Sequence, residues 1–233
     1  MEGIILAGGM GTRLQSVVSD VPKCMASVAG QPFLSYLLNV LQEAGFKHII
    51  LSLGYKSEVI EAWLRLNPFD MQISTVVEDH PLGTGGAVKL ALTAATQSHV
   101  FILNGDTFLA VDYVRMLRFH REKQADATLA LRTMTDFDRY GVVEMNDRSE
   151  IIAFREKRYC RSGLINGGTY LLNSEELNDY PEKFSLEKDY FEKRVAGHGL
   201  AGFVTDGYFI DIGIPEDYEQ AQTDFANGRY KTL

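Results

Sequence analysis

The sequence predicts an α/β fold: a mixed, mostly parallel sheet flanked by helices, with a small antiparallel-rich lobe. Three observations predict it. Short apolar runs alternate with helical stretches of about ten residues through the first half. Glycine and proline stand at the joints between them. After Asp106 the rhythm changes to several strand-like runs in succession.

Residues 3–7 read as a buried strand. Pro32 stands where a helix can begin and Gly45 where it can end. Between them Phe33, Tyr36, Leu37, Val40, Leu41 and Ala44 recur at helical spacing and form one apolar stripe. Residues 48–53 are then a strand, 57–66 a helix, 73–78 a strand, 86–96 a helix and 99–103 a strand. Helix 112–123 precedes strands 127–134, 141–145, 150–154 and 165–172. Residues 185–196 are helical, 200–205 and 208–212 are strands, and Pro215 opens the last helix. The first half reads as a nucleotide-type α/β half, and the second as a lobe on the same sheet. Residues 1–233 are expected to form one domain, with no linker and no repeat.

The chain has 233 residues, 45% of them hydrophobic and 23% charged, as in a packed soluble protein. No apolar run approaches 18 residues, and the start lacks a basic segment followed by an apolar one. A cytoplasmic protein without a membrane partner is expected. A net charge of −8 and the absence of a Lys/Arg block argue against nucleic acid as a partner. Cys24 and Cys160 have no metal-type spacing and read as reduced thiols without a role. Exposed helices could support a homodimer.

The chemistry begins at "LAGGMGTRL", residues 6–14, directly after the first strand. A loop there lies at the carboxyl edge of a parallel sheet, where ligands bind. Its glycines let backbone N–H groups approach a phosphate or a base. A Walker A loop needs Gly-Lys-Ser/Thr, which is missing. The dinucleotide fingerprint needs a third glycine at the place taken by Leu14. What remains is Gly8, Gly9, Gly11, Thr12 and Arg13, followed by Pro22-Lys23. Two cations beside a glycine loop suit a triphosphate. A plain glycine turn with solvated Arg13 and Lys23 is the competing reading.

Two aspartates stand out. Asp106, in "LNGDTF", follows an apolar strand; alone it could be a helix cap. Asp211, in "YFIDIGIPEDY", sits inside an apolar run, where a carboxylate needs a partner. Two carboxylates from different strands, together with phosphates, make a hard-oxygen site for Mg²⁺. No His or Cys cluster suggests zinc. Ahead of both, "EDHPLGTGGA" ends a strand and opens a helix, so its glycines can line a base or ribose.

"LAGGMGTRL…VPKCM" resembles the signature of the sugar-1-phosphate nucleotidyltransferases, with Cys24 in place of the second proline of the usual Pro-Lys-Pro. The resemblance runs in order from Ile4 to Tyr218. Within the family, "DFDRYG", "LINGGTYLL" and "YFIDIGIPEDY" look like the D-glycero-α-D-manno-heptose 1-phosphate guanylyltransferases. The resemblance implies a Rossmann-like nucleotide-diphospho-sugar transferase fold, with residues 1–110 mainly binding nucleotide. Residues 111–233 would bind the sugar and supply the second metal ligand. It implies Leu6, Ala7, Gly8, Gly9, Gly11, Thr12, Arg13, Glu78, Gly83, Thr84 and Gly105 on the nucleotide. Tyr140, Gly141, Glu156, Lys157, Asn166 and Gly167 would hold the sugar phosphate, with Gly168 beside them. Arg13, Lys23 and Asp106 would be catalytic, and Asp106 and Asp211 would hold Mg²⁺. The product would feed lipopolysaccharide, capsule or S-layer glycan.

The side chain at Glu78 is implied to read the base edge. A carboxylate accepts two hydrogen bonds side by side, and guanine offers two adjacent donors. Uracil and thymine offer one donor between two carbonyls, so donor–acceptor matching favours GTP. The expected reaction is an in-line displacement at the α-phosphorus by a sugar 1-phosphate oxygen, with pyrophosphate leaving. A mannose or glucose 1-phosphate enzyme using GTP, UTP or dTTP shares this chemistry. A glycosyltransferase would need a second carboxylate where Phe108 stands. A non-catalytic nucleotide-sugar sensor would not need the whole set of charged residues.

Overall fold

A computed structural model of the chain describes residues 1–9 and 20–231. Among these residues the central sheet has nine strands. Its parallel part uses β1 (Glu2–Leu6), β4 (His48–Leu53), β5 (Gln72–Val77) and β6 (His99–Asn104), in the order β6-β1-β4-β5. Two short strands, β2 (Ser27–Val28) and β3 (Gln31–Pro32), form a separate hairpin before helix α1 (Phe33–Glu43). Helices α2 (Ser57–Leu66) and α3 (Gly83–Leu92) connect the parallel strands. Short strand β7 (Thr107–Leu109) precedes α4 (Tyr113–Lys123).

The second half extends the same sheet with mostly antiparallel pairings. β8 (Ala127–Phe137), β9 (Val142–Met145), β10 (Ile151–Phe154) and β11 (Cys160–Asn173) follow one another, and β11 pairs β6, β8 and β9 antiparallel. A π-helical turn, Leu186–Phe191, runs into the single α turn α5 (Glu192–Arg194). β12 (Leu200–Thr205) then pairs β8 in parallel, which the run of short strands did not reveal. β13 (Phe209–Asp211) pairs β7, and α6 (Pro215–Ala226) and a 3₁₀ turn, Arg229–Lys231, follow.

The central strands are buried on both faces, so they read as unbroken apolar runs. Alternate residues enter opposite cores. Ile5, Ile49, Leu51, Phe101 and Leu103 pack with α1, α4 and α6, while Ile4, Ile50, Val100 and Ile102 pack with α3 and the 177–191 segment. Phe225 of α6 packs edge-on to Tyr36 of α1 and Phe108 of β7. That contact fixes the segment carrying Asp211. No helix among the described residues is long and apolar enough to cross a membrane.

Three boundaries move for physical reasons. α3 begins at Gly83 rather than residue 86, because Gly83 enters it with φ +73° and main-chain caps from Phe184. β11 begins at Cys160, its ladder to β8 continuing well before residue 165. Residues 185–196 are a π turn, an α turn and a 3₁₀ turn in sequence rather than one helix.

Candidate active site

The parallel strands end together on one edge of the sheet. Main-chain bonds hold the loops that leave them: Ala7 N–H donates to Ser52 O at 2.8 Å, Glu78 N–H to Leu53 O at 2.9 Å and Gly105 N–H to Leu6 O at 2.9 Å. A cleft of about 480 Å³ opens over these loops. Leu6, Ala7, Gly8, Gly9, Glu78, Gly83, Thr84 and Gly105 line it, with Lys23 and Asp106. Gly11, Thr12 and Arg13 lie outside the described residues.

Glycine is required where the loops touch. A Cβ on Gly105 would lie 2.5 Å from Leu6 O, and one on Gly54 would lie 2.8 Å from Glu78 Oε1. Glu78 is thereby held against the floor of the cleft. Its Oε2 accepts from Leu82 N–H at 3.1 Å, which leaves further lone pairs on both oxygens. The glycines of α3 divide their work. Gly83 and Thr84 line the cleft, whereas Gly85 and Gly86 abut Phe184 and Glu182 and donate their N–H groups to Phe184 O. Thr84 Oγ1 accepts from Leu186 N–H and donates to Glu187.

Asp106 and Asp211, distant in sequence, are brought together by the β7–β13 ribbon. Asp211 stands opposite Thr107, and Asp106 O accepts from Ile212 N–H at 3.0 Å. Lys23 rises from a 3₁₀ turn, Lys23–Met25, whose Cys24 and Met25 are buried. Its Nζ lies 2.5 Å from Asp106 Oδ2 and 3.7 Å from Asp211 Oδ1. Burial, and after it the charge of Asp106, pushes the Cys24 thiol up to about 12.

A second, polar pocket of about 710 Å³ adjoins the first, sharing Asn104 and Glu187 with it. Tyr140, Lys157, Asn166, Gly168 and Asp211 line it. Asn166 donates to the Tyr170 hydroxyl at 3.0 Å, beside a β-bulge in which Gly168 has φ +71°. The Tyr140 ring meets Phe209 edge-on, and Arg139 lies over its face while pairing with Asp217. Burial, then the nearby Asp211, pushes the Tyr140 phenol up to about 12, so it stays a neutral donor at neutral pH. Three predicted sugar-side residues are placed differently. Glu156 is exposed on the turn after β10, Gly141 abuts Arg155 O, and Gly167 is buried with its α-carbon against Leu109. None of the three is among the lining residues.

Sequence reasoning passed over Asn104, Arg139, Tyr170 and Glu187. Asn104 stood inside the quoted "LNGDTF", but only Gly105 and Asp106 were read as site residues there. Glu187 was absorbed into a helical reading; its turn is π-helical, a form frequent at functional sites.

Known proteins resemble this chain over nearly its whole length. The model of the nucleotidyl transferase family matches residues 2–228. D-glycero-alpha-D-manno-heptose 1-phosphate guanylyltransferase of Aneurinibacillus thermoaerophilus is 47% identical, over 95% of this chain and 97% of that protein. The protein of the same name from Campylobacter jejuni is 40% identical, over 94% and 97%. The crystal structure of HddC from Yersinia pseudotuberculosis complexed with GMP-PN superposes with a TM-score of 0.87 at 39% identity, covering 96% of this chain and 99% of that one.

Proposed function

The chain belongs to the nucleotidyl transferase family, and on that premise we propose that it transfers GMP from GTP to D-glycero-α-D-manno-heptose 1-phosphate, giving GDP-heptose and pyrophosphate. The names of the two guanylyltransferases supply the nucleotide and the sugar. The observation that carries the reading is the meeting of Lys23, Asp106 and Asp211 where the glycine-walled cleft opens into the polar pocket. Such a junction is what a reaction between a nucleotide phosphate and a sugar phosphate requires. The reading carries with it a cytoplasmic setting, where GTP is available.

The attacking oxygen is already anionic, so no strong base is needed. The barrier comes from bringing two anions together in line, and positioning with positive charge lowers it. Glu78, held by Leu82 N–H, accepts the two adjacent donors of guanine. Gly8 and Gly9 let the chain approach the nucleotide closely, and Arg13 is assigned to the leaving pyrophosphate by the loop sequence. Lys23 balances charge at the transferred phosphate. Lys157, exposed at the rim of the polar pocket, attracts the sugar phosphate, and Tyr140 and Asn166 orient the ring.

The donor set fits Mg²⁺. Two hard carboxylates converge on one cation position, and the neutral Cys24 thiol is no competing soft ligand. Among the described residues no group of three or more metal-type side chains forms. Two protein ligands leave positions for phosphate oxygens and water, as Mg²⁺ prefers. Bound by Asp106 and Asp211, the ion would supply Lewis-acid charge to the phosphates.

Pyrophosphate release, measured with Mg²⁺ for the four NTPs and dTTP against heptose, mannose and glucose 1-phosphates, tests this. The expected signal is strong only for GTP with the heptose phosphate. Turnover of UTP or dTTP with a hexose phosphate would keep the mechanism and remove the guanine reading. No release in any combination would overturn the transferase reading.

A further inference from the structure

Among the described residues, Asp106 and Asp211 share a cation, the side chain of Lys23. Its Nζ is within 4 Å of an oxygen of each, and the side chain is only 11% exposed. Gly213 helps to set this up. Its N–H donates to Asp211 Oδ1 at 2.8 Å, turning that oxygen inward. A Cβ on Gly213 would lie 2.7 Å from Asp211 Oδ1 and 2.9 Å from Lys23 Nζ, so glycine leaves the ammonium room to approach.

Magnesium ligated directly by both carboxylates would sit about 2.0–2.1 Å from each oxygen. Those oxygens are the ones the ammonium contacts, at 2.5 Å and 3.7 Å, so a second cation bound to them would meet its charge. Lys23 therefore has to leave before a divalent ion enters. It can do so without moving the backbone, because the 3₁₀ turn is anchored by buried Cys24 and Met25 and the stem is flexible. Lys23 also lines the nucleotide cleft, so incoming phosphates offer the ammonium a new partner.

Resting on the transferase reading above, we propose that Lys23 is a resident stand-in for the metal, so that the divalent ion is admitted only together with nucleotide. Free protein then binds the ion weakly. Phosphates draw Lys23 into the cleft and expose two carboxylates at the same time. The coupling is reciprocal: nucleotide tightens metal by the factor by which metal tightens nucleotide. The arrangement also keeps the two carboxylates partnered when the cleft holds no substrate.

Mn²⁺ binding followed by electron paramagnetic resonance tests this without turnover. In the absence of nucleotide, Lys23→Met is expected to bind Mn²⁺ at least tenfold more tightly than the natural chain. Lys23→Arg, which keeps a cation there, should stay weak. Adding Asp211→Asn to Lys23→Met should abolish the gain. Unchanged Mn²⁺ affinity in Lys23→Met overturns the proposal. The natural chain gives a second readout that needs no variant. Mn²⁺ should bind the complex with an α,β-methylene GTP analogue at least tenfold more tightly than it binds free protein or free analogue. Equal binding overturns the proposal. The two readings fail separately: GDP-heptose formation with no Mn²⁺ gain in Lys23→Met sinks the stand-in alone, and the gain without GDP-heptose formation sinks the transferase reading alone.

Discussion

On the proposed nucleotide side of the cleft, glycine main chain forms a distinct part of the lining. Gly8, Gly9, Gly83 and Gly105 expose peptide groups, and hydrogen bonds between strand ends fix the loops. On the proposed sugar side the lining is side chain: Arg139, Tyr140, Lys157 and Asn166 reach in from antiparallel strands and their connections. The two walls differ in how they are built because they sit on different parts of the sheet. Parallel strands deliver all their carboxyl ends to one edge, where glycine lets the backbone itself be the ligand surface. Antiparallel strands offer no such common edge, so recognition there depends on register and on the bulge at 167–169. The backbone wall should tolerate side-chain changes and fail on changes of shape. The other wall should fail residue by residue.

The largest effect is expected where the walls meet. Asp106→Ala should lower turnover by about 10²–10³, equivalent to roughly 2–4 kcal/mol of barrier, and Asp211→Asn by a similar factor. Steady-state pyrophosphate release, with circular dichroism to check folding, measures this. A folded Asp106→Ala protein with undiminished turnover would remove Asp106 from the chemistry.

Next in size is Glu78, the side chain proposed above to read the base. Glu78→Gln replaces a carboxylate accepting two donors by an amide that can accept only at one end. A hydrogen bond to a charged group contributes about 1.5–3 kcal/mol, so kcat/KM for GTP should fall about 10–100-fold. The ratio of GTP to UTP turnover should fall with it. An unchanged ratio would move base selection to another residue.

These two positions also show what could be read in the sequence. The parallel half was legible because its strands are continuous apolar runs and its ligand loops are marked by glycine. The β7–β13 ribbon was not, since a strand as short as Thr107–Leu109 has no periodicity to detect. The cost of leaving Asp211 alone in an apolar run asked only for a partner, and Lys23 lies 3.7 Å from it; setting Asp106 beside Asp211 was implied by the family resemblance. The parallel β8–β12 pair and the π turn escaped for another reason. Both are set by packing partners distant in sequence, so Glu187 gave no local signal.

A smaller effect is expected at Lys157 on the side-chain wall. Its exposure lets solvent screen the charge, so Lys157→Ala should raise the KM for the sugar phosphate about tenfold, near 1.4 kcal/mol. The KM for GTP should hardly move. A matching rise in both would mean that the walls are not separate.

The smallest effect concerns the seam where the two halves join, and it reads stability rather than turnover. His120 of α4 is buried; its Nδ1 meets Thr128 of β8 and its Nε2 meets Asn173 of β11. Asn173 in turn meets His99 of β6, so one network ties a parallel strand, a helix and two antiparallel strands together. Burial, the leading cause, holds the His120 pKa below its usual value. The unfolded chain therefore takes up this proton at a higher pH than the folded chain does. The stability that His120 contributes is fully present above about pH 6.5 and is lost as pH falls below that value. Urea unfolding of the natural chain should show a lower midpoint at pH 5.5 than at pH 7.5. His120→Gln keeps a donor and an acceptor but cannot titrate, so its midpoints should lie closer together. If both chains lose the same stability on acidification, the proton is being taken up elsewhere and the seam is not the pH-sensitive element.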